Sequence, residues 1–314
     1  MKRHSNQPPV TTESHGSTPR VGVPDNIERA VLFVLLAIVV LPVINACAKY
    51  LSEYSVIQVT WARYAGHFAF MLLVFAPRSG IALLRSSRLP LQLLRSTLHC
   101  ASAVLTFYVL AFVSLPTATA INFTAPLMVT ALAPLVLGER VGLARWLAVA
   151  AGFAGALVVV RPRGGAKDWA MMLLLVNAAA SAAIQLMSRR LAQHDGAATS
   201  NTYMVLVGFV LMSIPLPLVW RLPENAVDAL VFIGIGIFGG VGHYFLVRAF
   251  ELAPAAFVSP FTYGQIIGAT LISYLVFGQV PDAWTWVGVT IIVASGLFIL
   301  YRERRSRVAR RPCP

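Results

Sequence analysis

The sequence predicts an all-α polytopic membrane protein whose ten transmembrane helices form two inverted five-helix repeats. Three observations predict it. The 314 residues are 58% hydrophobic and 12% charged, with a mean hydropathy of +0.74, whereas about a quarter of a soluble domain is charged. The apolar residues gather into runs without Asp, Glu, Lys or Arg that can cross a ~30 Å hydrocarbon layer. The second half of the chain also repeats landmarks of the first. Phe112, Pro116, Ala118, Phe123 and Thr124 match Phe250, Pro254, Ala256, Phe261 and Thr262 at a shift of 138, and Gly138 and Trp146 match Gly278 and Trp286 at 140.

Residues 1–29 are polar and rich in Ser, Thr and Pro, without the short apolar core of a cleaved signal peptide. They are expected to form a disordered cytoplasmic tail. Breaking the apolar runs at turn signals gives helices at 30–51, 56–76, 92–114, 117–137 and 143–161, then 168–188, 201–221, 228–249, 255–277 and 283–302. The least obvious break, at Ser114, Leu115 and Pro116, rests on length. The 43 residues from Ser96 to Gly138 carry no Asp, Glu, Lys or Arg, more than one span can use. Residues 30–162 therefore form the first repeat, 168–302 the second and 303–314 a basic cytoplasmic tail.

Lys and Arg fix the expected orientation. With the N-terminus inside, the inner side collects 19 of them and the outer side five, namely Lys49, Arg161, Arg163, Lys167 and Arg221. Both termini are expected in the cytoplasm. Five crossings per repeat force the second copy to start from the opposite side, so the repeats are inverted. Inverted repeats put binding sites near the bilayer midplane between the halves.

The net charge of +13 does not indicate nucleic acid, because the basic residues sit at span ends and in tails. The three cysteines have no pairing or CxxC pattern, and no Cys/His cluster suggests a metal or cofactor. Gly234, Gly236 and Gly239 spell GxGxxG, but inside a continuous apolar span, where glycine serves helix packing rather than a dinucleotide. An enzyme acting on lipid-linked substrates would want acidic pairs or a substantial loop, and the chain offers neither.

The block LPTATAINFTAPLMVTALAPLVLGERVGLARWLAVAAGFAGALVVVRP, from Leu115 to Pro162, and its looser partner from Leu252 to Leu300 resemble the EamA family of the drug/metabolite transporter superfamily. The spacing of Pro126, Gly138, Glu139, Trp146 and Gly152 carries the likeness, although Gln279 stands where Glu139 would recur. The resemblance implies an inner-membrane carrier that alternates between inward and outward states around a central cavity. The expected activity is export of amino acids or related amphoteric or anionic compounds. The alternative is import of a vitamin or nucleoside-like metabolite, and the sequence leaves open whether the carrier is a monomer or a homodimer.

Arg63 is the sharpest candidate. It lies about 7 residues into its span, roughly 10 Å deep, where a guanidinium should face a cavity or a partner. Trp61, Tyr64 and His67 share its run, with His67 one turn on at i+4. Asn122, Gln185, His243, Tyr244, Tyr263 and Gln265 are further candidates to contact a substrate at the repeat interface. Glu139, Pro126, Trp146 and Trp286 are expected to be structural, the tryptophans as interfacial anchors. All twelve carboxylates fall in tails, loops or near span ends. A proton-coupled carrier would therefore have to use His67 or His243, and uncoupled exchange fits equally.

Overall fold

The computed structural model describes residues 27–74, 80–137, 142–161, 168–253 and 255–309. The regular structure among them is helical: α1 (Ile27–Tyr50), α2 (Val56–Val74), α3 (Leu89–Leu110), α4 (Leu115–Asn122), α5 (Ala125–Leu137) and α6 (Leu143–Val160) precede α7 (Asp168–Leu191), α8 (Ala197–Ser213), α9 (Leu216–Val219), α10 (Ala226–Leu252), α11 (Ala255–Thr262), α12 (Gln265–Phe277) and α13 (Ala283–Ala309). A 3₁₀ turn, Gly80–Leu84, precedes α3. Among the described residues, eight spans are long and apolar enough to cross a membrane by length and composition alone, with α4–α5 and α11–α12 each supplying one. The polar Arg63, His67 and Gln58 dilute α2, and α8 is a shorter apolar helix. Together they bring the bundle to ten.

Its packing has the exchange symmetry of a duplicated chain. α1 lies against α10 as α7 lies against α3, and α2 against α10 as α8 against α3. α1 meets the broken pair α11–α12 as α7 meets α4–α5. The large contacts of α2 with α8 and of α6 with α13 each join a helix to its own counterpart, as a twofold axis requires, and α4 of the first broken span also packs on α12 of the second. Five crossings separate each element from its counterpart, so the axis lies in the membrane plane.

The structure differs from the sequence expectation in three places. The spans expected as 117–137 and 255–277 are each interrupted, at Phe123–Thr124 and at Tyr263–Gly264. At each break a threonine hydroxyl donates to the carbonyl three residues back, Thr124 Oγ1 to Ile121 O and Thr262 Oγ1 to Ser259 O, both at 2.7 Å. These bonds add a side-chain donor to backbone carbonyls beside each interruption, and Pro126, with no N–H to donate, follows the first break at once. The span expected as 201–221 starts four residues earlier and ends at Ser213, where Pro215 and Pro217 replace it with the single turn of α9. α13 runs past its expected limit at Arg302 to Ala309, since no Gly or Pro stands in that stretch to stop it.

Small residues set the closest approaches. A Cβ on Gly66 would lie 2.5 Å from Gly236 Cα, so α2 and α10 touch backbone to backbone. Gly155 and Gly288 do the same for α6 and α13, each Cβ position falling within 3.0 Å of the other's carbonyl oxygen. Gly236, part of the GxGxxG run, is thus a packing residue.

Polar clamps tie the loops at both ends. At the end away from the termini, Tyr54 Oη donates to Asp228 Oδ2 at 2.6 Å and accepts from the Glu224 N–H at 2.8 Å. Gln58 brackets the Arg221 backbone, donating to its carbonyl at 2.7 Å and accepting from its N–H at 3.0 Å. Arg161 and Asp282 pair there as well, joining α6 to α13. Hydrogen bonds from Thr285 and then from Arg161 hold the Asp282 carboxyl down at about 2. At the other end, Asp195 in the α7–α8 connection accepts from Ser86 Oγ, the Ser87 N–H and Gln92 Nε2 at 2.5, 2.8 and 3.0 Å. The Ser86 bond first, with the other two, lowers that carboxyl to about 2.

Candidate functional site

Both helix breaks open onto one cavity of ≈ 590 Å³, within the size range of small-molecule sites. Asn122, Phe123 and Pro126 line it from the first break, and Thr262, Tyr263 and Gln265 from the second. Across it the Phe123 and Tyr263 rings lie 4.8 Å apart at 33°, an offset aromatic pair. Tyr263 reaches this position only because α13 carries Gly296 beneath it, where any Cβ would collide with the phenol. The lining continues through Ser181 and Gln185 to Arg189 in the last turn of α7 and Leu300 near the end of α13. The cavity thus runs from mid-bundle toward the end where α13 finishes. Among its described lining residues are amides, hydroxyls and one guanidinium, but no carboxylate.

Asn177 fixes Asn122 from behind. Its amide nitrogen donates to Asn122 Oδ1 at 3.0 Å and to Thr106 Oγ1 at 2.9 Å, while its oxygen accepts from Ser102 Oγ at 2.7 Å. Fully engaged and 2% exposed, Asn177 locks α3, α4 and α7 together in mid-bundle. Because its oxygen accepts from Asn177, the Asn122 amide presents its N–H₂ as the free end.

A second polar cluster lies deeper, where α2 crosses α10 at Gly66 and Gly236. Arg63, Gly66, His67 and Phe70 share one face of α2, and Gly236, Gly239, Gly240 and His243 the facing side of α10. The glycine contact brings the His67 and His243 rings to 5.3 Å between centroids. Arg63 stacks its guanidinium on Tyr64 and Phe107 at 5.3 and 5.6 Å, and Tyr64 Oη bonds His99 Nδ1 at 2.9 Å. The Nδ1 of His243 donates to the Gly239 carbonyl at 2.9 Å. His243 stands one turn from Leu246, a lining residue of the cavity, on the same face of α10.

The candidates named from the sequence thus separate. Asn122, Gln185, Tyr263 and Gln265 line the cavity, and Pro126 lines it too rather than serving only as a helix breaker. Arg63, Tyr64, His67 and His243 form the deeper cluster. Trp61 belongs to neither. Two residues before Arg63 on a helix, it points to the opposite side, meeting Trp220 edge to face and Phe209 at a tilt and donating from Nε1 to Ser213 Oγ at 2.9 Å. Tyr244 packs with Phe33, Phe70 and Phe245 beside α1. Trp146 and Trp286 are each 43% exposed on the outside of the bundle, and Glu139 lies outside the described residues. Sequence reasoning does not single out Phe123, Asn177, Arg189 or Gly296. Only the repeat match of Phe123 with Phe261 carried a signal, whereas Arg189 reads as an orienting charge.

The model of the EamA-like transporter family matches residues 28–161 and again 168–301. The chain belongs to this family. It is 30% identical to a riboflavin transporter of Vibrio cholerae over 88% of this chain and 95% of that protein. It is 26% identical to an S-adenosylmethionine uptake transporter of Rickettsia prowazekii, covering 88% and 94%, and 28% identical to the pseudopaline exporter CntI of Pseudomonas aeruginosa, covering 86% and 95%. One crystal structure superposes with a TM-score of 0.62 over 88% of this chain and 98% of the other at 16% identity, a likeness of fold. This EamA-like chain is therefore a multi-pass membrane protein of a transporter family, as the repeat landmarks imply.

Proposed function

We propose that this EamA-like protein carries a planar, ring-bearing metabolite, of the vitamin or nucleoside-like class, across the cell's inner membrane by alternating access. The observation that carries this reading is the convergence of both helix breaks on the 590 Å³ cavity, with Phe123 and Tyr263 paired across it. Aromatic side chains offer a ring both faces and edges to stack on, and the amides of Asn122, Gln185 and Gln265 can meet the donors and acceptors at its rim. Two relatives whose names contain riboflavin and S-adenosylmethionine support a ring-bearing cargo, and the uptake in the second name supports the import direction.

Export of amino acids or other amphoteric compounds remains the second reading, favoured by the pseudopaline exporter among the relatives and by Arg189 at the cavity's wide end, where it can meet a carboxylate. The excess of Lys and Arg on one side of the expected topology supports cytoplasmic termini. In that orientation the cavity faces the cytoplasm, and the described conformation is inward-facing. Proton coupling, if the carrier uses it, falls to His67 or His243, because the carboxylates lie at the ends of the spans.

The test is uptake and counterflow in proteoliposomes containing riboflavin, a nucleoside, S-adenosylmethionine or a neutral amino acid. Saturable movement of a ring-bearing compound that fails in Tyr263→Ala supports the proposal. Movement of the amino acid alone, unaffected by Tyr263→Ala, transfers support to the export reading.

A further inference from the structure

Arg63 is 8% exposed and His67 1%, both in the membrane-spanning part of α2. Arg63 Nε and both ring nitrogens of His67 are buried without a hydrogen-bond partner. The ion pairs among the described residues are Arg161–Asp282, Arg221–Glu224 and Arg248–Glu251, so the Arg63 guanidinium has no carboxylate, only the faces of Tyr64 and Phe107. A buried ionised group without a counter-charge is costly, and one inside a membrane protein that persists there marks a binding function by default.

The surroundings show a site built around that charge. Arg63 and His67 stand one turn apart on one face. Across from them α10 presents Gly239, which packs its backbone against both residues: a Cβ there would sit 3.7 Å from Arg63 Cγ and 3.9 Å from His67 Cβ. His243 has spent its Nδ1 on Gly239, and Tyr64 and His99 are bonded to each other, so these neighbours offer the guanidinium no anion. Tyr64 is itself wedged against Gly208 of α8, which holds the residue next to Arg63 in place.

We propose that Arg63 and His67, beside His243 and so about one turn of α10 beyond the cavity residue Leu246, form an anion-binding site that takes a carboxylate- or phosphate-sized group. A guanidinium's fork matches such groups with two parallel hydrogen bonds, and a neutral imidazole adds one N–H donor. The group belongs either to the cargo or to a small free anion that travels with it or holds the site between cargoes. The inference deepens the carrier reading and rests on it, since Leu246 lines the cavity and His243, packed on His67, stands one turn along the same face of α10.

The test is thermal unfolding of the purified protein in sodium HEPES, whose bulky anion carries no carboxylate or phosphate, and in sodium chloride and phosphate at the same ionic strength, and in HEPES with riboflavin or riboflavin 5′-phosphate. Wild type is expected to gain several degrees from at least one compact anion or from the phosphate ester over riboflavin. The gain should vanish in Arg63→Gln and shrink in His67→Phe. Where Arg63→Gln does not fold, Arg63→Lys should keep a smaller gain. A gain from chloride or phosphate identifies a free anion, and one from the ester alone identifies a group of the cargo. The proposal is overturned if wild type gains from none of them, or if the variants gain as much as wild type. Tyr263→Ala separates this site from the ring-binding surface. It should abolish any stabilisation by riboflavin and leave the Arg63-dependent anion gain intact, so either reading can fail alone.

Discussion

Replacing Gly296 by alanine adds one methyl group beneath Tyr263. The new Cβ would sit 2.7 Å from Tyr263 Cζ and nearer still to its hydroxyl, about 0.8 Å inside the ~3.5 Å at which carbon atoms attract. The phenol cannot yield freely, because its ring is paired with Phe123 at 4.8 Å. Either α13 moves outward or Tyr263 leaves the pair. Overpacking of this kind costs about 1–3 kcal/mol of stability, and losing an aromatic pair removes about 0.5–1.5 kcal/mol of interaction. If the cargo stacks on that surface, its affinity should fall about 2- to 12-fold, at 1.4 kcal/mol per tenfold. Equilibrium binding in detergent measures the second effect and thermal unfolding the first. Gly234→Ala is the control, because its Cβ meets only the edge of the partly exposed Phe238, at 3.3 Å. The reasoning is refuted if Gly296→Ala binds cargo as well as Gly234→Ala does, or if Gly296→Ala/Tyr263→Phe, which removes the colliding hydroxyl, is no better than Gly296→Ala.

Other consequences follow from the packing and the clamps. Gly66→Ala sets a methyl against the α10 backbone, with no rotamer to relieve it, and should cost about 1–3 kcal/mol in chemical unfolding. Asn177→Ala removes three hydrogen bonds in mid-bundle, at about 0.6 kcal/mol each inside a membrane protein. About 2 kcal/mol should be lost, with weaker cargo binding because Asn122 is released. The Asp195 carboxyl is depressed from 3.8 to about 2 in the folded protein, so its contribution is present above about pH 4 and disappears as pH falls toward 2. Acid titration followed by hydrogen exchange of residues 84–92 should show that loss in wild type, and Asp195→Asn should show the loosened segment at neutral pH.

The span count and the inverted architecture were legible because hydropathy and a repeated set of Pro, Thr, Gly and Trp landmarks report on the whole chain. The helix breaks were not. Neither Phe123–Thr124 nor Tyr263–Gly264 has a charged residue beside it, so each charge-free run continues across its break. The interruption depends on which backbone groups tertiary neighbours can serve. Sequence proximity also grouped Trp61 with Arg63, although two helical steps turn them to opposite sides. The nearness of His67 to His243 was hidden because it depends on two glycines, Gly66 and Gly236, that lie 170 positions apart in the numbering. Arg189 stands at the end of a span, as an orienting charge does, and only the shape of the bundle puts it on the cavity wall.

In the proposed carrier, the space between the two helix breaks holds the cargo through its paired rings. Equilibrium binding of a ring-bearing metabolite to Tyr263→Ala and to Trp61→Ala tests it most directly. The first variant removes one of the paired rings, and the second removes an aromatic side chain of the same bundle that points away from the cavity. Saturable binding in wild type that weakens at least about tenfold in Tyr263→Ala, a loss of roughly 1.4 kcal/mol, and is unchanged in Trp61→Ala is the predicted result. Unimpaired binding in Tyr263→Ala, or an equal loss in Trp61→Ala, would contradict it.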